Sequence, residues 1–206
     1  VIYFPIPPRL YIHGNWNNNI ITTPREREEL IKSLGIDEVL KLDFSKKLSE
    51  QSALEFFADF MAKKLNPDYI VVRRDFSIGK NREANHLWLK EICRINGFKC
   101  KILNFVRYKH HKISSSLIRH FLHSGLIKDA NACLGRKYSI TGTVVKGAGI
   151  GRKMGYPTAN LKVDRTKILP RGIYAVEVRA RNFPYLGVAS VGVRPTLKTL
   201  GMELIA

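Results

Sequence analysis

The sequence predicts an α/β unit followed by an all-β unit. Three observations predict it. Apolar-striped segments of helical period alternate with short β-branched runs as far as Leu134. From Tyr138 onward the period changes to β-rich runs broken by glycine and proline, the pattern of an antiparallel barrel or sandwich. Gly135 stands at the change, so the boundary falls between residues 1–135 and residues 136–206.

The first helix is announced by Thr22-Thr23-Pro24-Arg25-Glu26, with an N-cap threonine, proline at the first helical position and glutamate where a capping box needs it. Leu30, Ile31 and Leu34 form its apolar stripe and Gly35 stops it. A second helix is predicted from about Ser52 to Leu65, carrying Phe56, Phe57, Phe60 and Met61 and ending before Pro67. Tyr69-Ile70-Val71-Val72 reads as a buried strand, Ala84 to Asn96 as a helix closed by Gly97, and Lys99 to Val106 as the next strand. Ser114 to Ser124 predicts a helix with Leu117, Ile118, Phe121 and Leu122 facing inward and Gly125 at its end; a short helix follows to Leu134. Tyr138 to Lys146, Ile173 to Arg181 and Leu186 to Val193 are the strand-like runs of the back. Asn17-Asn18-Asn19 reads as a short polar turn, and there is no internal repeat.

Composition narrows the chemistry. Thirty-five Lys and Arg against seventeen Asp and Glu leave a formal charge of +18, a field that favours polyanions, nucleic acid and phosphorylated small molecules alike. The cations are spread from Arg25 to Lys198 without a long run, and no aromatic-rich RNA-binding motif or zinc finger is present, so dedicated nucleic-acid binding is the rival and not the main reading. No stretch of eighteen apolar residues and no charged-then-apolar leader is visible, which predicts no membrane span and a cytoplasmic protein. Cys93, Cys100 and Cys133 lack C-x-x-C spacing and read as small core residues in a reducing compartment. Nothing in the sequence sets an oligomeric state.

Two loops carry candidate chemistry. Gly147 to Asn160 reads GAGIGRKMGYPTAN, and Gly147, Gly149, Gly151 and Gly155 could let backbone N–H groups approach an anion beside Arg152. The spacing is neither a Walker loop nor a dinucleotide fingerprint, and a hairpin between strands uses such glycines equally well. Thr158 and Asn160 offer hard neutral oxygens at i and i+2, which in an extended segment point to one side and could share a Mg²⁺ ion; they could also stabilise a turn. Ser115, Ser116 and Arg119 place hydroxyls at a helix start and a guanidinium one turn on, either an anion site or a serine cap with a solvated arginine.

GRKMGYPTAN resembles the loop of the flavokinase family, and the flanking blocks Leu134 to Gly142, Arg171 to Tyr174 and Val191 to Thr196 agree with that family in order. Arg74-Asp75-Phe76-Ser77-Ile78-Gly79 resembles the flavin-side motif, and Ile113 to Arg119 the I-S-S-[ST]-x-I-R motif, of the adenylyltransferase domain in bacterial bifunctional riboflavin kinase/FAD synthetases. The resemblance implies a Rossmann-like nucleotidylyltransferase domain followed by a small β-barrel flavokinase domain. It implies ATP as co-substrate, Mg²⁺, and riboflavin, FMN and FAD as substrates or products. Asp75 and Phe76 would then lie on the flavin side, with Ser115, Ser116 and Arg119 on triphosphate. In the kinase half the glycine loop would cradle phosphate, Thr158 and Asn160 would hold the metal, and Glu203 would be the general base; a surface glutamate is its alternative. Departures are equally specific. Arg73 replaces a usual glycine, Ile78 a usual phenylalanine and Ile6 a usual histidine, and the family's first strand with its paired-histidine motif has no match in this sequence. Either residues that precede Val1 carry that motif or the adenylylation half is impaired; a kinase whose adenylyltransferase domain is vestigial is the alternative reading.

Overall fold

The computed structural model describes residues 1–14, 18–146, 158–181, 183–193 and 200–205. At the front, β1 (Ile2–Tyr3) pairs in parallel with β2 (Leu40–Lys41) across a crossover holding α1 (Pro8–His13) and α2 (Pro24–Ser33). The predicted capping box of α2 is present: the Thr23 hydroxyl accepts from the Glu26 amide, and a Glu26 carboxylate oxygen accepts from the Thr23 amide at 2.9 Å. Such a cap is worth about 1 kcal/mol. The predicted inward stripe is only partly right, because Leu34 is exposed and the buried residue of α2 is Glu26.

Beyond α3 (Lys46–Glu50), α4 (Ala53–Phe56) opens at a second capping box, Ser52 with Glu55, and continues as a π-helix over Phe57–Leu65. The strand β3 (Tyr69–Arg73) is followed by β4 (Ser77–Ile78) and its antiparallel partner β5 (Ala84–Asn85). α5 (His86–Ile95) then leads to β6 (Lys99–Leu103), which pairs in parallel with β3. α5 starts two residues later than the sequence predicts, because the Asn85 side chain accepts from the Leu87 and Trp88 amides and so caps it. Phe57, Ile70, Leu89 and Cys93 form the core here, with Trp88, Phe98 and Phe76 against it. Burial, with Cys100 beside it, pushes the Cys93 thiol up to about 11.

The hairpin β7 (Arg107–Tyr108) and β8 (His111–Lys112) precedes α6 (Ser115–His123) and α7 (Ile127–Leu134). Ile118 and Leu122 face inward as predicted, packing with Ala130 and Cys133. The back is an antiparallel five-stranded sheet of β9 (Gly142–Val145), β10 (Thr158–Val163), β11 (Gly172–Ala180), β12 (Phe183–Val193) and β13 (Leu200–Ile205), ordered β11-β12-β13-β10-β9. Its core face carries Ala189 and Val191 with Tyr174, Val176 and Val178, and Leu169 from the segment after β10 packs against it. The predicted strand from Tyr138 begins only at Gly142, since the Tyr138 amide donates to the Asn131 side chain at 2.6 Å and its hydroxyl to the Ile168 carbonyl at 2.8 Å.

The segment after β10 crosses to the helical half. Asn18, predicted as part of a simple turn, instead donates its amide to the Arg165 carbonyl at 2.8 Å, and its side chain accepts from the Leu169 amide at 2.8 Å. The Asn19 and Ile20 amides both donate to the Thr166 carbonyl, at 2.8 and 2.7 Å, and Ile20 bridges Lys167 in parallel. Ile168 is fully buried in the α6/α7 core. Lys167, 2% exposed, donates from Nζ to Glu26 Oε2 at 2.5 Å and to the Ile21 carbonyl at 2.8 Å, and the same Nζ lies 4.6 Å from the centre of the Tyr138 ring. Desolvation pushes the Lys167 ammonium below its ordinary value while the bonds to Glu26 oppose it.

Candidate active sites

In the front half, Asp75 lies in the turn between β3 and β4. Arg73 grips both of its carboxylate oxygens, from Nε and Nη2, at 2.7 Å each, and Lys112 at the end of β8 adds a third contact at 2.9 Å. Phe105 lies beneath both cations, with Lys112 Nζ 3.8 Å and the Arg73 guanidinium carbon 5.8 Å from its ring centre. Lys112 directly precedes the Ile113-Ser114-Ser115-Ser116 run, so this cluster joins the two front motifs that lie about 40 residues apart in sequence. Phe76 packs half-buried against the Phe57 and Leu89 core.

The Arg73 bonds, assisted by Lys112, hold the Asp75 carboxyl well below the usual carboxylate range, against a smaller opposing effect of burial. A carboxyl depressed in the folded state contributes stability that is fully present above its unfolded value of about 3.9 and lost as pH falls toward the folded value. Asp75→Asn is therefore expected to unfold at lower urea than the parent at pH 7, with the gap shrinking below about pH 4. Equal midpoint differences at pH 7 and pH 3 would show that the ion pairs do not govern this turn.

α6 begins at Ser114, whose hydroxyl accepts from the Leu117 amide at 3.2 Å, so Ser115 and Ser116 are its first two residues and both are exposed. Arg119, one turn later and half-buried, donates from Nε to the Asn19 carbonyl at 2.8 Å. The helix start thus offers hydroxyls, amides and a tethered guanidinium to an anion.

In the back half, Thr158 and Asn160 open β10. Asn160 pairs with Val145 on one side and with Glu203 of β13 on the other, and Glu203 pairs in turn with Ser190 of β12. Directly opposed residues of antiparallel strands share a face and lie about 4.5–5.5 Å apart at Cα. The candidate metal-binding asparagine and the candidate base therefore occupy one row of the sheet. Asn160 is only 8% exposed. Thr158, two residues back on the same strand, shares the face of Asn160 but stands opposite Ile205, one step from that row; its hydroxyl and the Asn160 amide oxygen are hard neutral donors of the kind Mg²⁺ takes beside water and phosphate. Among the described residues no group of three or more His, Cys, Asp or Glu could hold a metal. Gly147, Gly149, Gly151, Arg152 and Gly155 lie outside the described residues. Sequence reasoning missed Lys112, Phe105 and Ser190; only the position of Lys112 beside the serine motif was a usable signal, because Phe105 and Ser190 reach these sites through tertiary pairing.

The FAD synthetase family model matches residues 1–117 and the riboflavin kinase family model matches residues 134–205. The bifunctional riboflavin kinase/FMN adenylyltransferase of Buchnera aphidicola subsp. Schizaphis graminum is 34% identical over 198 residues, covering 95% of this chain and 64% of that protein. The enzyme of the same description from Escherichia coli K12 is 32% identical over 185 residues, covering 89% and 59%, and that from Haemophilus influenzae is 30% identical over 206 residues, covering 100% and 67%. A crystal structure described as a macrolide-efflux protein from Streptococcus pneumoniae is also similar, with a TM-score of 0.86, 33% identity and coverage of 100% of this chain and 67% of that one. The chain spans 64% of the length of the Buchnera relative and 59% of the Escherichia coli one. With one family model over its front, the other over its back and relatives of this description along nearly its whole length, the chain belongs to the bacterial bifunctional riboflavin kinase/FMN adenylyltransferase (FAD synthetase) family.

Proposed function

We propose that the protein phosphorylates riboflavin to FMN in residues 136–206 and adenylylates FMN to FAD in residues 1–135. The observation that carries the reading is the row Asn160–Glu203 within the region matched by the riboflavin kinase model. In the first reaction Glu203 accepts the proton of the riboflavin 5′-hydroxyl as that oxygen forms its bond to the γ-phosphorus of ATP. The bond to the β,γ-bridging oxygen breaks and ADP leaves. Thr158 and Asn160 would hold Mg²⁺, which supplies charge neutralisation on the phosphates when bound. The glycines with Arg152 would orient the phosphates, and the strands of the back sheet would close into a barrel around this site.

In the second reaction a phosphate oxygen of FMN bonds to the α-phosphorus of ATP and pyrophosphate leaves. Ser115, Ser116 and Arg119 would hold the triphosphate, with Asp75 and Phe76 on the flavin side. Arg119 and the start of α6 stabilise the charge that builds on the departing pyrophosphate. No described helix is long and apolar enough to cross a membrane, and use of ATP and free flavins fits a cytoplasmic enzyme. The efflux description of the pneumococcal structure belongs to that protein; both family models point to flavin chemistry.

A second reading, riboflavin phosphorylation alone, is favoured by one observation: Arg73 takes a usual glycine position and occupies both oxygens of Asp75. Incubating the full gene product with riboflavin and Mg·ATP and separating the flavins over time distinguishes the two. The expected result is FMN followed by FAD. FMN alone would support the second reading, and neither product from folded protein would end both. In that last case a steeply salt-dependent gel shift with nucleic acid is the outcome the rival reading requires.

A further inference from the structure

We infer that the back half positions Arg119, so that the ATP-binding end of the front half is completed by a loop of the kinase half. The inference rests on the adenylyltransferase reading above.

The path is continuous. Arg119 Nε donates to the Asn19 carbonyl, and the Asn19 amide donates to the Thr166 carbonyl, each at 2.8 Å. The Ile20 amide, the N–H of the same peptide unit as that carbonyl, also donates to the Thr166 carbonyl, at 2.7 Å, so the peptide that fixes the guanidinium is held from its other side by the segment that follows β10. That segment is itself anchored at three points: the Asn18 side chain on the Leu169 amide, Ile168 in the α6/α7 core, and Lys167 on Glu26. The direction of a guanidinium follows the carbonyl that accepts from its Nε, because the donors of the planar fork are fixed relative to one another. Displacing the loop displaces that carbonyl and with it the arginine. Geometry of this kind matters for a phosphate-binding arginine, because misplacement by about 1 Å costs on the order of a hundredfold in rate. β10, which carries Thr158 and Asn160, runs directly into the loop, so one strand serves both reaction centres.

The bonds that join the Asn19 peptide to the loop are backbone bonds, so the loop is best moved through its anchors. Lys167→Met in the full gene product is expected to raise the apparent KM for ATP in FAD formation on the order of tenfold, within the range of coupled sites. The KM for ATP in riboflavin phosphorylation should stay within about twofold, since the loop is not part of the proposed kinase centre. The decisive readout is a double-mutant cycle with Arg119→Ala. If the loop acts through Arg119, Lys167→Met raises the adenylylation KM no further once Arg119 is gone. Equal fold-changes with and without Arg119, or an unchanged KM in the single variant, would overturn the inference. Asn18→Gly keeps the backbone freedom that the positive φ of 51° at this position requires while removing the acceptor of the Leu169 amide. It should give the same pattern to a smaller degree, and decides the matter if Lys167→Met does not fold. A parent protein that forms FMN but no FAD would remove the adenylyltransferase reading and the inference with it. A parent that forms FAD with a KM insensitive to both loop variants removes the inference alone.

Discussion

Replacing Glu203 by glutamine is expected to lower riboflavin phosphorylation by about 10²–10⁴-fold, the typical contribution of a positioned general base. Glutamine keeps the size and the hydrogen-bonding oxygen but cannot take the hydroxyl proton. The loss should therefore fall on kcat, with the KM for riboflavin little changed. The expectation follows from the sheet register, which sets Glu203 between Asn160 and Ser190 on adjoining strands of the back sheet. Initial rates of FMN formation from pH 5 to pH 9 supply the check. A variant within about twofold of the parent would move the base elsewhere and leave Glu203 as a sheet residue.

The second large effect is on stability. Lys167→Ala leaves Glu26 as a buried charge without its cation, a change that costs about 3–5 kcal/mol in comparable settings. For a domain of this size that corresponds to a fall in melting temperature of about 6–20 °C. Both partners are well shielded, with side chains 1% and 8% exposed, so solvent screening reduces the effect little. The double variant Glu26→Leu/Lys167→Met should recover most of the loss, because an apolar pair of similar volume removes the desolvation penalty together with the attraction. Calorimetry of the parent, the single and the double variant tests both statements. A single variant that melts with the parent would show that the pair contributes nothing.

The contrast between Leu34 and Glu26 explains how far the sequence could be read. The start of α2 was legible because a capping box is local: Thr23, Pro24 and Glu26 specify it within four residues. Which face of the helix is buried was not legible, because the partner of Glu26 lies 141 residues away in the chain. A rule that sends leucine inward and glutamate outward fails where a lysine from another half of the molecule arrives to pair. The same reason separates the two candidate sites. Ser114 as the cap of α6 follows from its neighbours, whereas the meeting of Asp75 with Lys112 and of Asn160 with Glu203 depends on strand pairing that no periodicity encodes. The late start of β9 has a tertiary cause as well, since Tyr138 has the composition of a strand residue but is drawn to Asn131 and Ile168.

The burial of Ile168 between α6 and α7 also has a consequence for synthesis of the chain. A polypeptide emerging from the ribosome presents α6 and α7 more than 30 residues before Ile168 appears. During that interval the pocket lined by Ile118, Leu122 and Ala130 lacks the side chain that fills it. Domains generally fold as units from the N-terminus as they are made, and transiently uncovered apolar surface is where nascent chains aggregate. The front half of this protein cannot complete its core until the first strands of the back half have been translated. Slow codons placed after α7 and before residue 168 would lengthen that exposed interval, and the yield of soluble protein would register it.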